Sequence, residues 1–402
     1  MGRDTVEKVV VVGGGYAGAI AAVRVAGRAR GRADVTLIEP RKALVQRLRL
    51  HQLAAGQDPS TYDLVKLTGR RVAHVRGRAY EIDLDRRLIR TSGSDGAQTV
   101  AFDHLILATG SVVDLDRVPG AREHAHSLND QASAQRLRVT LRHMRSGGLI
   151  AVCGGGMTGL EAAAEFAEMR PDVRIVLATS GALGGWLCER GRRELRARLD
   201  HLGVAIVDHV RVTCVEPDRL RLGDGAELRV DATVWCGGFV TPALARECGL
   251  AVGEQGAVSV DSSLRSSSHP YVVAAGDAAA PPELPNGSAF RMTCQAGMPA
   301  GAHAADTVVA TLKRRDPEPF DFGYLHQPIS LGRRGGLIQF VDRADRPKDR
   351  LLTGRRAIVY KELVTRSAVP TIALERRMPG TLRWPSGGAP TVRPALERAS
   401  SA

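Results

Sequence analysis

"AVCGGGMTGLEAAAEF" (151–166) reads as a buried strand, a glycine turn and the start of a helix, the arrangement that grips a dinucleotide. The same device occurs earlier, at "VVVVGGGYAGAIAAVRVA" (9–26). There Gly13, Gly15 and Gly18 give G-x-G-x-x-G directly after the apolar run Val9 to Val12 and open an Ala-rich helical stretch ending near Arg30. The first glycine permits a tight turn, the second lets backbone approach a pyrophosphate, and the third lets helix pack on strand. The pyrophosphate then sits at the positive helix N-terminus. Glu39, twenty-one residues past Gly18, ends the next strand ("ADVTLIEP", 33–40), where a carboxylate can accept hydrogen bonds from an adenosine ribose. Gly154, Gly156 and Gly159 repeat the pattern, but the same count from Gly159 lands on Ser180. Without an acid there, discrimination in favour of NAD is lost. The nearest arginines that could favour NADP, Arg190, Arg192 and Arg193, lie further on, so NADH and NADPH both stay open.

The two halves share a longer order. Each glycine-loop β-α-β is followed by alternating segments around a turn, at 80–110 ("TSGSDGAQ") and 210–238 ("GDG"), and then by a buried strand ending in glycine. In the second half the spacing predicts a strand from Leu149, a helix over 158–169, a strand over 172–179 and a helix over 189–203. A further buried strand leads to Gly276–Asp277, and "GLIQFV" and "RRAIVYKELV" read as strand-like pieces in the last ninety residues. Duplication at this scale predicts an α/β protein with two Rossmann-like domains carrying antiparallel inserts.

Bulk composition narrows the function. The chain has 402 residues, 44% apolar and 25% charged, as soluble proteins do, and its 4% of aromatics argues against a nucleic-acid reader built on stacking. Net charge is +13, and 311–402 holds 18 Lys/Arg against 9 Asp/Glu. That basic surface suits anionic lipid or an acidic partner, or is simply a solvated Arg-rich face. The six cysteines include no close pair and the histidines no ligand spacing, so reduced thiols and no metal are expected. No apolar run spans a membrane and no leader precedes the first strand, which predicts a cytoplasmic protein, at most peripheral on the inner face of the membrane.

Two dinucleotide sites in one chain suggest a relay between a resident redox cofactor and a visiting nicotinamide. The ordered set "GGGYAG", Glu39, "LILATG" (105–110), "GGGMTGLE" (154–161) and "YVVAAGD" (271–277) resembles the FAD-dependent pyridine-nucleotide oxidoreductases with two dinucleotide-binding domains. With "RMTCQAGMPAGAHAAD" (291–306), it is most similar to type II NADH dehydrogenases and their FAD-containing relatives, strongly over 7–310 and loosely beyond.

The resemblance implies an FAD domain built from 1–113 and 237–310, an NAD(P) domain over 114–236, a small α+β C-terminal domain over 311–378 and a disordered tail over 379–402. It implies that Gly13, Gly15, Tyr16, Ala17, Gly18, Glu39, Pro40 and Arg41 hold the adenosine and pyrophosphate of FAD. Arg49, Gln52, Ala108, Thr109, Gly110 and Gly276 extend that cradle, and Asp277 binds the ribityl chain. Gln295 and Ala296, opening a helix, bring N–H groups and a positive dipole towards the flavin pyrimidine. Gly154, Gly156, Met157, Thr158, Gly159, Ser180 and Gly237 face NADH or NADPH. His51, beside the isoalloxazine, Gln295 and Glu161 are the catalytic candidates; Glu161 is expected in the first helical turn, between nicotinamide and flavin, or simply complementing the helix dipole.

Departures from the family matter as much. The CxxxxC of the disulfide reductases is missing, which removes a dithiol relay; Cys294 approaches the flavin as a packing or redox residue, and Cys153 and Cys236 belong to the core. "GRRAIVYKELVTR" (354–366) is the best candidate for the amphipathic membrane helix of this family, or else packs on the protein itself. The expected function is an FAD-dependent NAD(P)H dehydrogenase passing electrons to a quinone-like acceptor, with a homodimer allowed and no nucleic-acid partner. The alternatives are a ferredoxin-type reductase with an acidic protein partner, or an apoptosis-inducing-factor-like redox sensor of slow turnover.

Overall fold

Val9 to Val12 are fully or almost fully buried because their strand, Glu7–Val12, lies in the middle of a sheet covered on both faces. In a computed structural model of the protein, which describes residues 6–94, 96–281 and 290–387, this sheet has five parallel strands. Their order is Val272–Ala274, His104–Leu107, Glu7–Val12, Ala33–Ile38 and Val72–Val75. A second five-stranded parallel sheet repeats it in the order Ala125–Ser127, Ala232–Trp235, Leu149–Cys153, Arg174–Ala178 and Val204–Val207. The registers coincide: Val12 pairs with Ile38 as Cys153 pairs with Ala178.

Each sheet has an antiparallel three-stranded insert where the alternation predicts one. One comprises Arg78–Asp83, Leu88–Gly93 and Gly96–Ala101, and the other Val212–Val215, Arg219–Leu222 and Glu227–Arg229. The chain is therefore α/β with two Rossmann-like units, as the duplication requires.

The C-terminal part is an antiparallel sheet of His326–Ser330, Gly336–Val341 and Pro347–Thr353, followed by the helix Gly354–Arg377. "RRAIVYKELV" is thus helical, not strand-like. Its β-branched residues are overruled by a helical stripe of contacts, in which Ala368, Val369 and Ile372 pack on Tyr16, Ile20 and Val23 of the helix Tyr16–Arg28. Val359 and Leu363 on the same helix stay exposed.

Residues 379–387, expected to begin a disordered tail, are packed. The Trp384 indole N–H donates to the Asp321 carbonyl and its ring lies against Phe320, which is burial enough to order the segment. Residues 388–402 of that expectation lie outside the described residues. Among the described residues no helix is long and apolar enough to cross a membrane, and no cluster of His, Cys, Asp or Glu could hold a metal.

Candidate functional site

The two glycine loops are alike at the level of single atoms. Gly13 has φ +106° and Gly154 φ +128°, a left-handed region that only glycine enters freely. A side chain at Gly18 would collide with the Gly13 carbonyl, and one at Gly159 with the Gly154 carbonyl, so each third glycine lets its helix press on its own loop. At Gly15 and Gly156, by contrast, a Cβ would meet nothing within 4 Å. These open positions are also the helix N-caps, and neither has a side-chain cap. Each loop thus offers uncapped N–H groups and empty space to a pyrophosphate.

Superimposing the ladders corrects the residue count. Gly13 N–H donates to Ile38 O and Glu39 N–H to Val75 O; Gly154 N–H donates to Ala178 O and Thr179 N–H to Val207 O. Thr179, not Ser180, is therefore the counterpart of Glu39, because the second connection is one residue shorter. It fills the same space too, with its Oγ1 lying 2.5 Å from where a Gly155 Cβ would be. No carboxylate stands at this place. In the first unit Glu39 is buried and accepts from Gly14 N–H (2.7 Å) and from Arg41 through its backbone N–H (3.0 Å), Nε (2.6 Å) and Nη2 (3.0 Å). Burial opposes its ionisation, but the Arg41 fork and the Gly14 N–H outweigh it and hold the carboxyl below its ordinary range. Arg41 is half exposed and Pro40 exposed, so the fork can swing aside for a ribose.

Beside the first loop, Asp277 accepts from Ser111 Oγ at 2.6 Å, and Arg47 donates to the Ser111 carbonyl. Burial raises the Asp277 carboxyl, with Ser111 and Arg47 pulling the other way. Arg47 carries no motif, and the sequence reading passed over it. Ala108 forms the floor under Gly13, while Thr109 and Gly110 lead on to Ser111. The helix Cys294–Leu312 opens without a side-chain cap, with Gln295 and Ala296 in its first turn, and the buried Thr293 hydroxyl has no partner among the described residues. Gly301 admits the Ala17 backbone, and Gly276 lies against Ala17, so the starts of the two helices are drawn together. The Tyr16 hydroxyl is buried and also unpartnered. Open glycines, uncapped helix starts and orphaned hydroxyls fit a flavin dinucleotide.

The second loop leads to a buried ionic cluster. The helix Met157–Met169 starts at Met157, which puts Glu161 just beyond the first turn rather than in it, so dipole complementation weakens as an account of it. Glu161 Oε1 accepts from Ser330 N–H (3.1 Å) and contacts Lys361 Nζ, and His51 Nδ1 lies 3.8 Å from Oε2. Lys361 also donates to Ser330 Oγ (3.2 Å). Burial, reinforced by Arg49, pushes the Lys361 ammonium down to about 7. His51 is held well below its ordinary value by burial and then by Lys361, Arg49 and Arg333, and its buried Nε2 has no partner among the described residues. Arg49 donates to Gln52 Oε1 (3.0 Å) and Glu362 Oε1 (2.8 Å), which ties the 47–56 stretch to the last helix. Lys361 and Glu362 were missed because their partners lie some two to three hundred residues away in sequence. Gly237, Met157 and Thr158 line the second loop, with Gly237 backbone 2.8 Å from where a Gly154 Cβ would be.

No cysteines with the CxxxxC spacing stand at either loop; Cys153 and Cys236 are neighbours at buried strand ends beneath the second one, where Cys236 N–H donates to the Cys153 carbonyl. Cys294 is pushed up to about 11 by burial and then by Asp277, and burial likewise raises Cys153 and Cys236.

A model of the pyridine nucleotide-disulphide oxidoreductase family matches residues 7–305. The chain is 31% identical over 330 residues to an NADH dehydrogenase-like protein of Mycobacterium tuberculosis, a match covering 76% of this chain and 80% of that one. It is 22% identical over 388 residues to the demethylphylloquinone reductase of Synechocystis, covering 92% and 93%. The solved structure of NDH2 from Plasmodium falciparum in complex with NADH superimposes with a TM-score of 0.76 at 14% identity, over 93% of this chain and 99% of that one. With duplicated dinucleotide loops and these relatives, the chain belongs to the pyridine nucleotide-disulphide oxidoreductase family, as an NAD(P)H dehydrogenase similar to the type II enzymes.

Proposed function

We propose that this NAD(P)H dehydrogenase holds FAD at the first glycine loop, receives NADH or NADPH at the second, and delivers electrons to a quinone-class acceptor. The observation that carries the reading is the buried Glu161–Lys361–His51 cluster beyond the second loop, in a chain whose cysteines lack the CxxxxC spacing. Bound FAD supplies a two-electron carrier that can release electrons singly or in pairs. The chain's own residues do the rest. Gly13, Gly15, Tyr16, Ala17 and Gly18 seat the pyrophosphate, Glu39 the adenosine ribose once Arg41 releases it, and Asp277 with Ser111 and Arg47 the ribityl side. The start of the Cys294–Leu312 helix, at Gln295 and Ala296, turns its positive end towards charge accumulating on the ring.

Reduction of a quinone consumes protons as well as electrons, and a proton held between Lys361 Nζ and Glu161 Oε1 is available near neutral pH. Neutral His51, with its free Nε2, is placed to orient a carbonyl acceptor. The demethylphylloquinone reductase among the relatives supports a quinone acceptor. Thr179 supplies no carboxylate to reject a 2′-phosphate, which keeps NADPH in play beside NADH.

The test is anaerobic reduction of the purified yellow protein with NADH and NADPH separately, followed by re-oxidation with menadione, a ferredoxin and oxygen. Rapid turnover with menadione supports the reading. A single reduction without turnover would favour a redox sensor, and preference for the ferredoxin would favour the one-electron alternative. A protein without flavin would remove the basis of all three.

A further inference from the structure

The helices Tyr16–Arg28 and Cys294–Leu312 start at the flavin cradle, and their opposite ends meet in a groove of about 740 Å³. It lies about 20 Å along the first helix from the glycine loop. Arg28, Arg30, Lys313 and Arg383 line it, with Pro379, Leu382 and Trp384 forming an apolar wall. A second hollow of about 580 Å³ shares Arg30 and Lys313 and adds Arg32 and Arg315. Among the described residues no carboxylate lines either one.

Helix ends explain part of this charge. Lys313 caps one helix and Arg28 lies in the last turn of the other, where C-terminal carbonyls favour cations. Arg28 and Arg24 are further neutralised by Asp306, and Arg24 by Glu375. What remains exceeds both accounts. Among the described residues Arg30, Lys313, Arg315 and Arg383 have no carboxylate partner. Burial and then Arg28, Arg30, Arg315 and Arg32 push the Lys313 ammonium down, so these cations bear on one another. Like charges converging on one concave space are costly unless an anion enters it.

We propose that this groove binds a nucleoside polyphosphate, its phosphates between Arg30, Lys313 and Arg315 and its base against the Trp384 wall, apart from both dinucleotide loops. The volume falls within the range of about 300–1,000 Å³ usual for small-ligand sites. Concavity argues for a small polyanion over a flat lipid surface, and arginine forks with one indole suit phosphate and base together. The site also absorbs Lys313, Arg315 and Arg383 from the basic C-terminal segment, charge that the redox reading leaves unused. Because Arg24 and Arg28 bridge to Asp306 and Arg24 to Glu375, an anion here bears on the last helix, which carries Lys361.

The test uses flavin-loaded protein, titrated with inorganic tripolyphosphate and with ATP by calorimetry. The double variant Arg30→Asn/Arg315→Gln serves as control; Asn tolerates the φ of +52° at position 30, and neither residue touches the redox machinery. Tripolyphosphate should bind saturably, ATP more tightly, and both at least about tenfold more weakly in the variant, with flavin content unchanged. ATP binding unaffected by the variant would assign it to an adenosine loop and overturn the proposal, as would no saturable binding of either probe. Equal affinity for the two would overturn the base-binding wall. Variant-sensitive capture by phosphatidylglycerol vesicles without tripolyphosphate binding would make the groove a lipid contact instead.

Discussion

Gly156 and Gly159 lie three residues apart in the second loop, and the same added methyl group should have opposite effects at the two. At Gly156 the backbone is extended (φ −75°, ψ 175°) and a Cβ meets nothing within 4 Å. Gly156→Ala should therefore fold normally, and the stiffer unfolded chain gives it about 0.4–1 kcal/mol of stability. The methyl occupies space that a pyrophosphate needs, and overpacking by one carbon costs about 1–3 kcal/mol, or roughly ten- to a hundredfold in NADH affinity. At Gly159 the Cβ would sit 3.0 Å from the Gly154 carbonyl carbon and closer still to its oxygen, so Gly159→Ala must push helix from loop. That should lower the melting temperature before any cofactor is added, by about 1–3 kcal/mol of strain. The assay is anaerobic stopped-flow bleaching of the flavin against NADH concentration, beside thermal melting of both variants. An unchanged NADH dependence in Gly156→Ala, with flavin retained, would refute the assignment of the nicotinamide to this loop.

Further outcomes follow from the buried charges. Glu161→Gln should retain flavin yet lower menadione turnover by at least about tenfold; equal turnover would show that the carboxylate only braces Ser330 and Lys361. Lys361→Met leaves Glu161 buried without its cation, so the acidic limb of the pH–rate profile should move to higher pH, and an unmoved limb would count against proton sharing. Arg47→Ala should shed flavin on gel filtration with little change in melting of the apoprotein, since among the described residues the Arg47 side chain hydrogen-bonds to the Ser111 carbonyl, beside Asp277. Burial and then Arg291 hold His326 down to about 4, so the unfolded state binds the proton first on acidification. Stability should fall between about pH 6.5 and pH 4 by up to about 3 kcal/mol, and His326→Gln should flatten that part of the melting-temperature curve.

The sheets and loops were legible because their signals are local. Apolar runs, the glycine spacing and the turns in the inserts lie within a few residues of the structure they create. The counterpart of Glu39 was misplaced by one residue because counting assumes equal helix and turn lengths, whereas the sheet register that defines equivalence is a property of hydrogen bonds. The last helix was obscured by Ile358, Val359 and Tyr360, whose β propensity is overridden because the helix is held further along by Ala368, Val369 and Ile372 packing on Tyr16, Ile20 and Val23. Lys361, Glu362 and Arg47 carry no motif. Their roles exist only where the folded chain brings them to Glu161, Arg49 and Asp277, across separations of 200, 313 and 230 positions.

The pairing of Glu161 with a lysine on the last helix also sets when the molecule becomes competent. A ribosome completes both parallel sheets long before it reaches position 361, so the nascent chain can fold both glycine-loop units before it holds the lysine that pairs with Glu161 and is proposed to hold a proton there. Only docking of Gly354–Arg377 closes the site, and that helix leans on the rest through Ala368, Val369 and Ile372, through Tyr360 on His326 and Phe340, and through a few ion pairs. Its detachment would be a smaller event than unfolding either sheet. A cut at the junction of Thr353 and Gly354, where strand passes directly into helix, should therefore silence turnover in a protein that stays yellow and compact.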